Sequence, residues 1–251
     1  AMLSLPASNP LPRYLHVRSL HMLAAFAFAL ATSGCASVNL AKPEDLQRDP
    51  LEGMNRAIYG FNRSLDIHAI NPAAKAYRRI VPIPVRTAVR NVFSNLNDIP
   101  VTLNSALQGQ WKDCVQSFAR LAVNSTVGLL GLIDWASDGG APKHDEDFGQ
   151  TLGHYGIGSG AYLVLPVLGP ASLRDGVGLA VDAMASPLYP YDTYPKAGAL
   201  VLNVVSARAQ FPGLREALDQ QPDEYAFVKN AYLQKRTNKL FYGKPPAMGE
   251  E

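Results

Sequence analysis

Apolar residues recur at helical spacing through most of the chain. Leu51, Met54, Ile58, Phe61 and Leu65 mark one stripe, and Asn55, Tyr59, Asn62 and Asp66 lie opposite it, polar but mostly uncharged. Asp49 can cap, Pro50 suits the first helical position and Glu52 completes a capping box, so a helix is predicted from about residue 50. Val85, Ala88, Val89, Val92, Phe93, Leu96 and Ile99 form a second, broader stripe, with Arg86, Arg90 and Asn91 outside it. A turn at Asn97-Asp98 is expected to end that helix and Pro100 to open the next, closed by Gly109. From Trp111 a further helix is expected to run through Val115, Phe118 and Ala122 into "VGLLGLIDW", Val127 to Trp135. There apolar residues go all the way round, so the segment must be buried in protein or face lipid.

Ser172 is placed to cap a helix through "LRDGVGLAVDAMA", and "AGALVLNVVSARAQ" predicts another. "PDEYAFVKNAYLQKRTNKLF" predicts the last, with acids at its start and Lys235, Arg236 and Lys239 near its end, matching the helix dipole. "AYLVL", between Gly160 and Pro166, is the one short extended candidate. The expected fold class is therefore all-α: a single domain of mostly amphipathic helices with one short extended, Gly-rich hairpin loop. No internal repeat is visible.

The N-terminus reads as an address. Arg13 and Arg18 precede the apolar run Met22 to Ala31, and "TSGCAS" follows. Positive region, short apolar core and small residues describe a secretory signal. The Gly-Cys ending fits a bacterial lipobox, although Thr32 stands where leucine is usual. Lipidation of Cys35 is expected, since more than one acyl chain gives a lasting anchor. Ala36 in the following position is not aspartate, which in lipoproteins generally implies sorting to the outer membrane. The expected organisation is a signal peptide over 1–34, a lipidated tether over 35–48, a helical domain over 49–243 and a tail over 244–251. Cys114 is then left unpaired, a buried structural thiol by its apolar neighbours.

Composition narrows the function class. Hydrophobic residues make up 47% and charged residues 18%, lean in charge for a soluble protein. The net charge of +2 argues against a nucleic-acid partner, which needs a basic field, and against a purely electrostatic membrane binder. Candidate chemistry is thin. "HDED", His144 to Asp147, offers ligand types, but adjacent residues do not converge on one ion, and a solvated loop is the expectation. "GIGSG" lacks the glycine two before the serine that a nucleophile elbow needs, and as a dinucleotide fingerprint it has neither the preceding strand nor the following helix. His154 reads as a structural hydrogen-bonder. No catalytic set, metal site or cofactor site is nominated, and an enzyme is not expected. The glycines at 153, 156, 158 and 160 allow positive φ and tight reversal, as a packing turn or as a loop flexing beside a channel.

Three stretches carry a resemblance. "DPLEGMNRAIYGFN" (Asp49 to Asn62), "FGQTLGHYGIGSGAYLVLPVLGPASLRD" (Phe148 to Asp175) and "EYAFVKNAYLQKR" (Glu224 to Arg236) are similar, in this order, to the MlaA/VacJ family of outer-membrane lipoproteins. The resemblance spans about Asp49 to Gly243. It implies a membrane-embedded disc or ring of helices in the periplasmic leaflet, pierced by an amphipathic channel for phospholipids. It implies that phospholipids misplaced in the outer leaflet are passed to a periplasmic lipid-carrier protein, and that an outer-membrane trimeric porin is a partner. By the same carry-over Gly153, Tyr155, Gly156, Gly158 and Gly160 belong to a gating loop beside the channel. The weakly charged row Asn55, Tyr59 and Asn62 is the candidate polar channel face. Two other classes stay open: a structural, porin-associated lipoprotein without transport, and a lipid-modifying enzyme using His154 or Ser159.

Overall fold

Most of the helices predicted from the 3.6-residue pattern form, with one hairpin between them. A computed structural model describes residues 49–188 and 193–241. The segment expected to be a signal peptide, Cys35, the expected tether over 35–48 and the expected tail 244–251 lie outside the described residues. In order, the elements are α1 (Glu52–Leu65), a π-helical segment (Asp66–Ile70), α2 (Asn71–Ile80), α3 (Ile83–Leu107), α4 (Trp111–Thr126), the single-turn α5 (Trp135–Asp138) and α6 (Phe148–His154). Then come β1 (Tyr162–Leu165), β2 (Gly169–Ser172), α7 (Leu173–Ala185), α8 (Thr193–Ala209), α9 (Leu214–Asp219) and α10 (Glu224–Leu240). The mainly helical, single-domain fold expected from the pattern is the fold observed. α3 lies along α4, α6 packs on α7, and α8 on α2.

Local chemistry explains the helix starts. Ser172, Asp147 and Asp223 cap α7, α6 and α10, their side chains accepting from the N–H groups of Asp175, Gln150 and Ala226. α1 departs from expectation. Leu51 precedes it with no side-chain cap. The Asp49 carboxylate instead accepts from Asn55 Nδ2 at 2.9 Å and from the Tyr225 hydroxyl, with Lys229 at 3.5 Å. Asp49 thus ties α1 to α10 rather than capping its own helix.

Three further expectations are corrected. Pro100 does not open a helix; it sits buried inside the continuous α3. The intrahelical bond that proline removes is offset by local replacements: Thr102 Oγ1 donates to the Asp98 carbonyl at 2.6 Å and Asn104 Nδ2 to the Pro100 carbonyl at 2.9 Å. Conversely, α4 stops at Thr126 and "VGLLGLI" is a coiled turn. Leu129 and Leu130 take left-handed conformations (φ 52° and 59°), followed by Gly131 at 90°. A Cβ on Gly128 would lie 2.3 Å from the Ile133 carbonyl oxygen, so the turn closes only over a glycine. Cys114 is half-buried, not fully buried, and free.

The interior is polar. Among the described residues, glycine and proline aside, the buried set holds eight apolar residues against nineteen polar or charged ones, while Leu51, Met54 and Phe61 of the first apolar stripe and Val115 and Phe118 of α4 are exposed. Amphipathic helices have been turned so that many apolar faces point outward. Ion pairs and amides hold the inside together. Arg120, 1% exposed, donates to both oxygens of Asp134 (3.2 and 3.1 Å), to Ser137 Oγ and to the Ala141 carbonyl, beside the fully buried Asp98. Lys143 Nζ meets Asp98 from the other side at 2.5 Å. Burial pushes the Asp98 carboxyl above its usual range despite these cations. Asp134 is also penalised by burial, but hydrogen bonds from Ser137 and Asn124 and the charge of Arg120 outweigh that and bring it to about 2. A second knot joins α6, α7 and α10: Arg236 donates to Asp147 and to Asp175, which also accepts from the Tyr232 hydroxyl at 2.5 Å. Asp147, expected in a solvated loop, is therefore a structural ion-pair partner.

Candidate functional site

The hairpin shows how the polar faces are used. β1 pairs with β2 from Tyr162↔Ser172 to Leu165↔Gly169, and its other edge faces α1. Asn55, 0% exposed, donates to the Tyr162 carbonyl and accepts from the Val164 N–H, both at 2.9 Å. Asn62 repeats the pattern one step along, donating to the Leu165 carbonyl at 2.9 Å and accepting from the Val167 N–H at 2.7 Å. Each side-chain amide stands in for a residue of a third strand. The spacing fits, because seven helical residues rise about 10 Å and three strand residues span about the same. Tyr59, between them, donates to Glu224 at 2.6 Å. The row Asn55, Tyr59, Asn62 thus clamps the hairpin and α10. The hydrogen bonds of these side chains go to the hairpin and α10, because an unpaired strand edge buried against a helix needs such donors and acceptors.

The glycine stretch is a helix ending followed by a reversal. Tyr155 closes α6, Gly156 takes φ +83°, its N–H bonds to the Gly153 carbonyl, and the Ile157 N–H bonds to the Leu152 carbonyl. That is the Schellman arrangement, and Gly156 holds its left-handed position. Tyr155 Oη donates to the Leu107 carbonyl at 2.6 Å, satisfying the open end of α3, and Arg174 Nη1 reaches the Ile157 carbonyl at 3.1 Å. Gly153 is a packing glycine, since a Cβ there would lie 2.5 Å from Leu240 Cδ2. Gly160 has φ +67°, and Gly158 lies half-buried between these points. His154 is exposed, its ring edge-on to Tyr155. Nothing crowds Gly156, so Gly156→Ala is expected to cost about 1 kcal/mol, from backbone strain alone. Thermal unfolding reads this cost. Lost transport at unchanged stability would instead mark the residue as a hinge.

A cavity of about 440 Å³ lies between α3, α7 and α8. Its wall mixes Arg90, Asn97, Asp182, Asn203 and Ser206 with Phe93, Leu96, Leu179 and Leu188. Its size is that of a ligand site, and its lining suits a molecule with polar and apolar parts. Asp182 is fixed by Asn104 Nδ2 at 2.8 Å and the Phe148 N–H at 2.9 Å, and burial pushes its carboxyl above the usual range. Neither the glycine loop nor Asn55, Tyr59 or Asn62 lines this cavity. Sequence reading missed it; the only signal was Arg90, standing outside an apolar stripe. No cluster of His, Cys, Asp and Glu able to hold a metal occurs among the described residues.

The outer surface is the other half of the site. Trp111, Val115, Phe118, Leu129, Leu130 (77%), Trp135, Ile80 and Ile83 are all exposed. So much apolar surface on a fold with a polar interior fits a hydrocarbon surrounding better than water. Among the described residues no helix is long and apolar enough to cross a membrane.

Comparison with known proteins agrees with this geometry. Residues 47–239 match the family model for MlaA lipoprotein. The chain belongs to the MlaA lipoprotein family. It is 38% identical over 218 residues to the Intermembrane phospholipid transport system lipoprotein MlaA of Shigella flexneri, covering 83% of this chain and 85% of the relative. The protein of the same name from Haemophilus influenzae is 34% identical over 230 residues, covering 89% and 91%. A solved chain, from work on the structural basis for maintenance of bacterial outer membrane lipid asymmetry, superposes with a TM-score of 0.69 at 35% identity. It covers 78% of this chain and 100% of that one. In this MlaA family member the match takes in the hairpin clamp, both ion-pair knots and the cavity.

Proposed function

We propose that this lipoprotein, anchored through Cys35 in the periplasmic leaflet of the outer membrane, removes phospholipids misplaced in the outer leaflet and hands them to a periplasmic carrier. The observation that carries the reading is the inverted burial: apolar side chains outward, a polar interior, and a cavity of mixed lining between α3, α7 and α8. A phospholipid moving through such a site keeps its headgroup among amides, hydroxyls and Arg90 while its chains meet Phe93, Leu96 and Leu179. Neutral hydrogen-bonding groups hold a headgroup without trapping it, because each net bond is worth only about 1 kcal/mol. No bond-making step is required. A trimeric porin is the proposed neighbour in the membrane, where a protein wall replaces part of the lipid around the apolar rim.

The test is outer-leaflet phospholipid in the native bacterium. Deletion is expected to raise it, wild-type protein to restore it, and Cys35→Ala protein to fail. An unchanged outer leaflet on deletion would sink the transport reading and leave a structural, porin-associated role in its place.

A further inference from the structure

Between Asp66 and Asp98 the chain carries no acidic residue, yet it carries Lys75, Arg78, Arg79, Arg86 and Arg90. These line the corner where α2 ends and α3 begins. Elsewhere among the described residues, every arginine meets a carboxylate: Arg56, Arg63, Arg120, Arg174, Arg208, Arg215 and Arg236. None of the corner's five cations forms an ion pair with a described residue. Arg78 reaches only the Ala209 carbonyl, at 3.4 Å, and the buried Arg86 Nε has no hydrogen-bond partner. α3 also starts here without a side-chain cap, so its positive dipole end adds to the same field.

The apolar side chains beside these cations say what they face. Ile80 is 77% exposed and Ile83 69%, with Val85 also exposed. Unpaired guanidinium groups interleaved with protruding aliphatic side chains match the boundary between headgroups and acyl chains, where apolar groups insert and cations stay with phosphates. An acidic protein surface would supply carboxylates but would not solvate Ile80 and Ile83. Arg86 and Arg90 lie one turn apart on α3, and Arg90 is in the cavity wall. The corner therefore leads into the cavity along one helix face.

We propose that the α2–α3 corner recognises phospholipids of net negative charge and presents them to the cavity, favouring them over zwitterionic lipids. The physical ground is simple. A zwitterionic head brings its own ammonium into a field that is already positive, whereas a glycerol head brings only the phosphate. The inference rests on the transport reading for its purpose, but its test is separate.

The full lipoprotein, purified in detergent and equilibrated with equal amounts of phosphatidylglycerol and phosphatidylethanolamine, is analysed for bound lipid by native mass spectrometry. The wild type is expected to retain phosphatidylglycerol preferentially. Arg79 and Arg90 are exposed and without a described partner, so Arg79→Gln/Arg90→Gln leaves the fold intact. Each membrane-surface cation contributes roughly fivefold to affinity for an anionic lipid, so the pair is expected to cut the preference by about tenfold or more. Arg56→Gln/Arg63→Gln removes the same charge from ion-paired positions and is expected to leave the preference unchanged. An unaltered ratio in Arg79→Gln/Arg90→Gln overturns the proposal. So does equal loss of both lipids, and equal retention of both by the wild type assigns the cations to an acidic protein surface instead. If the outer-leaflet assay fails while the lipid preference holds, transport falls and this recognition stands.

Discussion

Arg120→Ala is expected to cost about 3–5 kcal/mol of folding stability, the largest effect of any single change in the domain. Arg120 is the one group that touches Asp134, Ser137 and the Ala141 carbonyl at once, next to Asp98, which is fully buried. Removing it leaves Asp134 without its bidentate partner and Asp98 with Lys143 alone. A buried carboxylate without compensation is expensive, and the lost guanidinium leaves a void between α4 and the 134–141 segment. Thermal unfolding in detergent measures the loss. Adding Asp134→Asn to Arg120→Ala removes one of the stranded charges and is expected to recover part of it. A single-variant loss below about 1 kcal/mol would mean that water or lipid headgroups already reach the site.

Asn55→Ala is expected to cost about 2–4 kcal/mol and to free the hairpin from α1. The side-chain amide serves three partners at once: Asp49, the Tyr162 carbonyl and the Val164 N–H. The last two are backbone groups on a strand edge that no other strand covers, and each left unsatisfied carries a penalty of about 1–3 kcal/mol. Asn55→Asp is a sharper probe, since it keeps the acceptor for Val164 and turns the donor to Tyr162 into a repelling oxygen. Amide hydrogen exchange at Val164 should quicken strongly in both variants, while exchange in α4 stays as in the wild type. Uniform quickening would mean global unfolding and would assign Asn55 no special hold on the hairpin.

The pattern of the chain made the helices legible but not their orientation. Periodicity says that a helix has two unlike faces. It does not say which face meets protein and which meets the surroundings. The stripe Leu51, Met54 and Phe61 suits a core or a lipid surface equally in the sequence; in the fold it is exposed, while Asn55 opposite it is fully buried. Ser172 was readable as a cap because its role is local. Asp49 was not, because its partners Tyr225 and Lys229 lie at the far end of the chain. Pro100 misled because the bonds that compensate it come from Thr102 and Asn104, residues whose side chains fold back only once the helix exists. The spacing Asn55 to Asn62 held a signal that was overlooked: two amides two turns apart match an unpaired strand edge. The cavity had almost none, since its walls come from three helices distant in sequence.

The surroundings of the apolar surface are open to direct measurement. In a Cys114→Ser background, single cysteines at Leu130, Phe118, Asp219 and Lys235 carry a fluorophore, and the lipoprotein is reconstituted into bilayers with bromine on the acyl chains. Leu130 and Phe118 are exposed apolar positions, and Asp219 and Lys235 are exposed charged ones. Strong quenching at the first pair and little at the second is the predicted result. Equal, weak quenching at all four would place the whole domain in water and contradict a lipid-embedded lipoprotein with a polar interior.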